Sequence, residues 1–89
     1  MKFLARLFGT VKFPTLYFVR QEGPRVLAVY RIRQREDGLG RTSDIWRDGR
    51  WLQDWGPLGK YLAVGFDSDT GEVSMAEADE AVRVTERDR

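Results

Sequence analysis

The chain contains no histidine and no cysteine, and each absence closes off chemistry. Histidine is the side chain whose ordinary pKa lies nearest neutrality, and cysteine supplies thiolate nucleophiles and soft metal ligands. Disulfide staples and zinc clusters are excluded with them. No apolar run approaches the roughly 20 residues of a membrane-spanning helix. The opening Met1-Lys2-Phe3-Leu4-Ala5-Arg6-Leu7-Phe8 is interrupted by Arg6, and no clean small-residue cleavage site follows it. The expectation is a soluble, cytoplasmic protein with no cofactor and no metal site.

What is present is a short chain of 89 residues, enough for one domain, with three tryptophans and fifteen Lys and Arg against fourteen Asp and Glu. The near-neutral total hides a polarity. Through Arg50, 11 basic residues stand against 5 acidic ones, a balance of +6; from Trp51 onward 4 stand against 9, a balance of −5. Such asymmetry suits an acidic partner or head-to-tail association, or the two halves simply neutralise each other on folding.

Hydrophobic spacing lays out the elements. Met1, Leu4, Leu7, Phe8 and Val11 recur at helical intervals, which predicts a helix or arm over 1–12. Leu16–Arg20 and Val26–Arg33 are rich in β-branched and aromatic residues and flank Gly23-Pro24, the pattern of a hairpin. A period of two assigns Val26, Ala28, Tyr30 and Ile32 to one face, and Leu27, Val29, Arg31, Arg33 and Arg35 to the other. Asp48-Gly49 calls for a type I′ turn, which sets Trp46 opposite Trp51 and Ile45 opposite Leu52. Only one face of that ribbon is expected to be the main core. Residues 58–66 fit a helix with Pro57 at its first position, or a buried strand. Asp67–Gly71 reads as a loop, and Ser74-Met75-Ala76-Glu77 as a capping box starting a helix from Met75 to about Glu86. Its apolar stripe is thin, so weak docking is expected. The fold class expected is α+β, a small antiparallel sheet of two hairpins followed by one or two helices. It makes a single domain over 1–89, with the sheet over 15–54 and a helical part over 57–87.

Chemical motifs are scarce. An EF-hand register with Gly71 at the sixth position puts Phe66 at the first and misplaces both Asp67 and Asp69. Asp67-Ser68-Asp69-Thr70 misses the D-x-D-x-T spacing by one residue. A carboxylate hydrolase would need at least two of Asp67, Asp69, Glu72 and Glu77 in one concave pocket. No enzyme is expected. The surface with most to offer joins Arg31, Arg33, Arg35, Arg47 and Arg50 to Trp46, Trp51 and Trp55, because Arg and Trp are enriched among binding hot spots. Trp55, beside Gly56-Pro57, is the tryptophan expected to be exposed. Two readings of the arginines stay open, cross-strand pairing with nearby Asp and Glu or an unneutralised row. On the second, the chain is a non-enzymatic interaction module for a protein partner or itself, and changing Arg31 and Arg33 to Glu abolishes binding while sparing the fold. A nucleic-acid module using the same face is the alternative.

The W-x-x-G-x-W element at Trp46–Trp51, the L-x-x-Y-L stretch at Leu58–Leu62 and the acidic helix start after Gly71 resemble a group of small bacterial proteins. The likeness spans about residues 44–82. It implies this order of elements and no activity.

Overall fold

The computed structural model describes residues 14–88; the helix or arm expected over 1–12 lies outside them. Five strands, β1 (Leu16–Glu22), β2 (Arg25–Gln34), β3 (Arg41–Arg47), β4 (Arg50–Gln53) and β5 (Thr70–Val73), form one antiparallel sheet in the order β4-β3-β2-β1-β5. Helix α1 (Trp55–Ala63) and helix α2 (Met75–Arg87) complete the α+β fold. Both hairpins form where expected. Asp48 and Gly49 take φ of 56° and 80°, and Trp46 pairs with Trp51.

The fifth strand corrects the loop reading. Thr70 to Val73 pairs with β1, with Val73 opposite Tyr17 and Thr70 opposite Arg20. The part beyond residue 57 is thus helix, edge strand and helix. Only four residues long and carrying a glycine, β5 offers too little alternation to be recognised in isolation.

The two helices lie on opposite faces, so the sheet has two cores. Against α2 lie Val19 and Val29, closed by Ala78 and Ala81, with Val26, Trp46, Trp51 and Val73 around them. Against α1 lie Phe18 and Ile32 with Leu58, surrounded by Leu16, Tyr30, Tyr61 and Phe66. Of the β3–β4 ribbon, the Trp46–Trp51 face joins the α2 core, while Ile45 and Leu52 are only half-buried. Fully burying a side chain such as Val29 or Ile32, each 1% exposed, stabilises by about 1.5–3 kcal/mol. Alanine at 78 and 81 lets α2 approach closely: both are buried, while Met75 is exposed.

Val26 departs from its expected face. Arg20 pairs with Ala28 and Gln21 with Val26, leaving Leu27 as the extra residue of a bulge. The inserted residue reverses the alternation, so Val26 joins Val29 in the α2 core rather than Tyr30 and Ile32.

Of the stretch 58–66, residues through Ala63 are helix rather than strand and 64–66 leave it, and the ends of α1 explain this. The Asp54 side chain accepts from the Gly56 N–H at 2.8 Å, so the helix starts at Trp55 and Pro57 is its third residue rather than its first. Proline is tolerated there because the N–H it lacks would be an orphan in the first turn. At the other end Gly65, at φ 75°, donates to the Tyr61 carbonyl at 3.2 Å, a left-handed cap. Ser43, fully buried on β3, donates its hydroxyl proton to the Asp54 carbonyl and accepts from the Leu58 N–H at 3.0 Å. One hydroxyl therefore pins α1 to the sheet. Ser43→Ala is expected to cost about 1–3 kcal/mol, read from urea unfolding, because it strands both partners in the core.

Helix α2 begins as expected, with Ser74 and Glu77 closing a reciprocal capping box. Among the described residues no helix is long and apolar enough to cross a membrane.

Candidate functional site

The structure splits the eight expected binding residues into three places. Strand alternation puts Arg31 and Arg33 on the α2 side of β2, level with Asp44, Trp46 and Trp51 on β3 and β4. Arg35 continues the row just past the end of β2. Arg47 and Arg50 are exposed at the tip of the β3–β4 ribbon and by the same alternation belong to its other side. Trp55 sits on α1, on the opposite layer, and is 65% exposed.

Asp44 organises the first group. It is 1% exposed, and two arginines reach it. The Nε–H groups of Arg31 and Arg33 both donate to Oδ2 at 2.6 Å, and Arg33 Nη2 donates to Oδ1 at 3.2 Å. Cross-strand register dictates this: Arg31 pairs with Asp44 directly, and Arg33 is the same-face neighbour two residues on. Burial pushes the Asp44 carboxyl up, but the hydrogen bonds and charges of Arg33 and Arg31 outweigh it and hold the group below the ordinary carboxylate range. The same bond raises Arg33 above the usual guanidinium value, against the opposing effect of burial.

Trp51 completes the cluster. The Arg31 guanidinium lies 4.4 Å from its ring centroid, and Trp46 meets the same indole edge-on at 5.4 Å. Tyr17 approaches Trp51 at 6.5 Å from the far side of the sheet's middle. Trp46 is itself fixed by α2, its Nε1–H donating to Glu86 at 2.9 Å. Each member of the cluster is thus in contact with at least one partner on another element.

Arg35 pairs with Asp37 at 3.2 Å, both well exposed, an interaction worth about 0–1 kcal/mol. Arg33 and Glu36 stand 3.9 Å apart, with the Glu36 side chain 94% exposed. The unneutralised row is thereby corrected. All three guanidinia touch a carboxylate, because β3 brings Asp44 between the first two and the β2–β3 turn returns Asp37 to the third. With Asp44 buried between them, Arg31→Glu with Arg33→Glu would set three carboxylates together, so loss of the fold is the outcome this geometry leads one to expect.

Asp44 is shared between two guanidinia whose side chains are 25% and 21% exposed, and Glu36 stands beside the second. Beside them opens a cavity of about 280 Å³ lined by Arg33, Arg35, Glu36, Asp37, Thr42 and Gln53. Buried Thr42 accepts from Gln53 Nε2 at 3.2 Å on its wall.

No protein family, curated protein or solved structure matches this chain. The face is read from its own geometry.

The carboxylates of the second half do not converge. Asp67 is held by Lys60 at 2.8 Å, Asp69 by Arg20 at 3.0 Å, and Glu77 by the α2 cap. Among the described residues no group of three or more acidic side chains is placed to hold a metal ion. The residue that sequence reasoning undervalued is Asp44. Its signal was present: it shares the strand parity of Trp46, which the turn sets opposite Trp51, so a charge on that side of β3 needed a partner inside the fold.

Proposed function

We propose that this chain is a non-enzymatic interaction module that binds a protein partner through the Arg31–Arg33–Trp51 face. The partner supplies a carboxylate. The observation that carries the reading is the shared aspartate: one buried carboxylate serves two partly exposed guanidinia beside an open cavity, with Glu36 3.9 Å from the second. An incoming Asp or Glu side chain would accept from the guanidinium edges that Asp44 does not use, and such charge-assisted bonds are roughly twice as strong as neutral ones. Trp51 and Trp46 hold Arg31 in place beforehand, which lowers the ordering cost of binding.

Nucleic acid is less well supported by the same geometry. Base stacking needs an open aromatic face, whereas Trp51 is capped by Arg31, Trp46 is tied to Glu86, and Tyr30 stacks on Phe66 at 5.9 Å with planes 3° apart.

The test is an amide and indole chemical-shift titration of the full chain with a glutamate-rich peptide and, separately, with single-stranded DNA. Shifts confined to Arg31, Arg33, Thr42, Gln53 and the Trp51 indole are expected with the peptide. Arg31→Lys should weaken that binding about tenfold, because an ammonium keeps the charge but loses the planar fork. Stronger binding of DNA that collapses between roughly 0.05 and 0.3 M salt would favour the nucleic-acid module. No shift with either probe removes this face from consideration.

A further inference from the structure

Strand β4 ends the sheet, and among the described residues no strand pairs with its outer side. The Asp54 N–H donates to the Ser43 carbonyl at 2.9 Å, which makes Ser43–Asp54 a hydrogen-bonded pair. Alternation along the antiparallel ladder then makes Ile45–Leu52 and Arg47–Arg50 the next two such pairs. The N–H and C=O groups of Trp51 and Gln53 therefore point away from β3, off the edge of the sheet. Helix α1 packs on β3 and β2, and α2 on β2 and β1, so β4 lies outside the main contacts of both. Exposed edges are commonly blunted by lysine, proline or a bulge. This one, Arg50-Trp51-Leu52-Gln53, has none of the three, and Asp54 prolongs it in extended conformation at φ −150° and ψ 121°.

The side chains along this edge are their own complement. Arg50, Leu52 and Asp54 alternate on the α1 side, basic, apolar and acidic about a centre at Leu52. Arg50 is exposed, has no carboxylate partner among the described residues, and faces a like charge, Arg47, across the hairpin. Asp54 Oδ1 accepts from the Gly56 N–H at 2.8 Å, which leaves Oδ2 for a second donor. We infer that this edge is a dimer interface and that its occupant is β4 of a second copy, antiparallel, about a two-fold axis through Leu52. In that register Trp51 exchanges both main-chain hydrogen bonds with Gln53 of the second copy, and Gln53 does the same with its Trp51. Every outward group of the two residues is satisfied. Leu52 meets Leu52 on the axis and Arg50 meets Asp54 twice, all at non-hydrogen-bonded positions, where side chains approach most closely. A two-fold contact demands such reciprocity. Sliding the register by two residues either way puts Trp51 or Gln53 on the axis and parts Arg50 from Asp54. At the opposite edge, β5, the Thr70 N–H is already taken by the Asp67 carbonyl at 2.9 Å, and Gly71 brings no side chain to a join. The dimer uses the main chain of Trp51 rather than its ring, so it stands independently of the Arg31–Arg33–Trp51 face.

Sedimentation equilibrium of the full chain, from low micromolar to millimolar concentration, should show the mass rising from one copy to two and no further. Arg50→Glu sets an acid against Asp54 on both sides of the axis and should weaken the dimer about tenfold or more. Gln53→Pro removes an outward N–H that β3 does not use, a change that edge strands tolerate. It should leave a monomer at every concentration with a cooperative melt. Because the chain has no cysteine, the register can be read by mild oxidation. Leu52→Cys places two thiols at the axis with Cα atoms about 4.5 Å apart, within disulfide range. It should form a covalent dimer many-fold faster than Leu39→Cys, on the exposed β2–β3 turn. Arg31→Lys should change none of these results, which separates the dimer from the carboxylate-binding reading. A parent chain that stays monomeric at millimolar concentration overturns the inference. So do assemblies that grow beyond two copies, and a Leu52→Cys rate equal to that of Leu39→Cys.

Discussion

Asp44→Ala is expected to lower the stability of the folded chain by about 3 kcal/mol. Removing one member of a buried ion pair costs about 3–5 kcal/mol because the remaining charge is left uncompensated. The lower end applies since both arginines retain a fifth to a quarter of their side-chain exposure and can turn toward water. Asp44→Asn isolates the charge at nearly constant volume. The folded pKa of Asp44 lies below its unfolded value, so its contribution is full above about pH 4 and is lost as pH falls through the folded value. The stability gap between the parent chain and Asp44→Asn, measured by urea unfolding, should be constant from neutral pH down to about pH 5 and shrink below about pH 4. A gap that stays level into strong acid would show that the carboxylate charge does not hold this face. Arg31→Glu with Arg33→Glu should leave little folded protein at neutral pH.

Phe18→Ala is expected to cost about 3–5 kcal/mol. Phe18 is 3% exposed and lies between the Phe66 and Tyr61 rings, with centroids 4.7 and 5.5 Å away. It joins β1 both to α1 and to the segment that leads into β5, so no single neighbour can move in to fill the space. Leucine at 18 keeps most of the volume and should cost less than about 1.5 kcal/mol. Native domains have about 5–15 kcal/mol in total, so the alanine variant should lose a large share of the margin, read as a lowered urea midpoint. Equal losses for leucine and alanine would mean that the ring contacts, rather than filled volume, carry the effect.

How much was legible follows from the range of the forces. The Asp48-Gly49 turn and its Trp46–Trp51 pair were readable because positive φ at two adjacent residues is a demand few sequences meet. The α2 cap was readable because Ser74 and Glu77 satisfy each other within one turn. Trp55's exposure was readable too, from the Gly-Pro break beside it. Val26 was misplaced because a bulge opposite Gln21 is decided by the partner strand. The arginine row was ambiguous for a like reason. Acidic residues stood near it in sequence, but which one it would meet depended on the register of β2 with β3 across a loop of unknown pairing.

By itself, then, the sequence determined the two hairpins, the Asp48-Gly49 turn, the helix start at Ser74 and the exclusion of thiol and imidazole chemistry, all matters of composition or of contacts within a few residues. Tertiary structure alone decided that both faces of the sheet are covered, that residues 70–73 add a fifth strand, and that one aspartate takes two arginines. Those outcomes are pairings between segments far apart in the chain, and their energies exist only once the strands are in register.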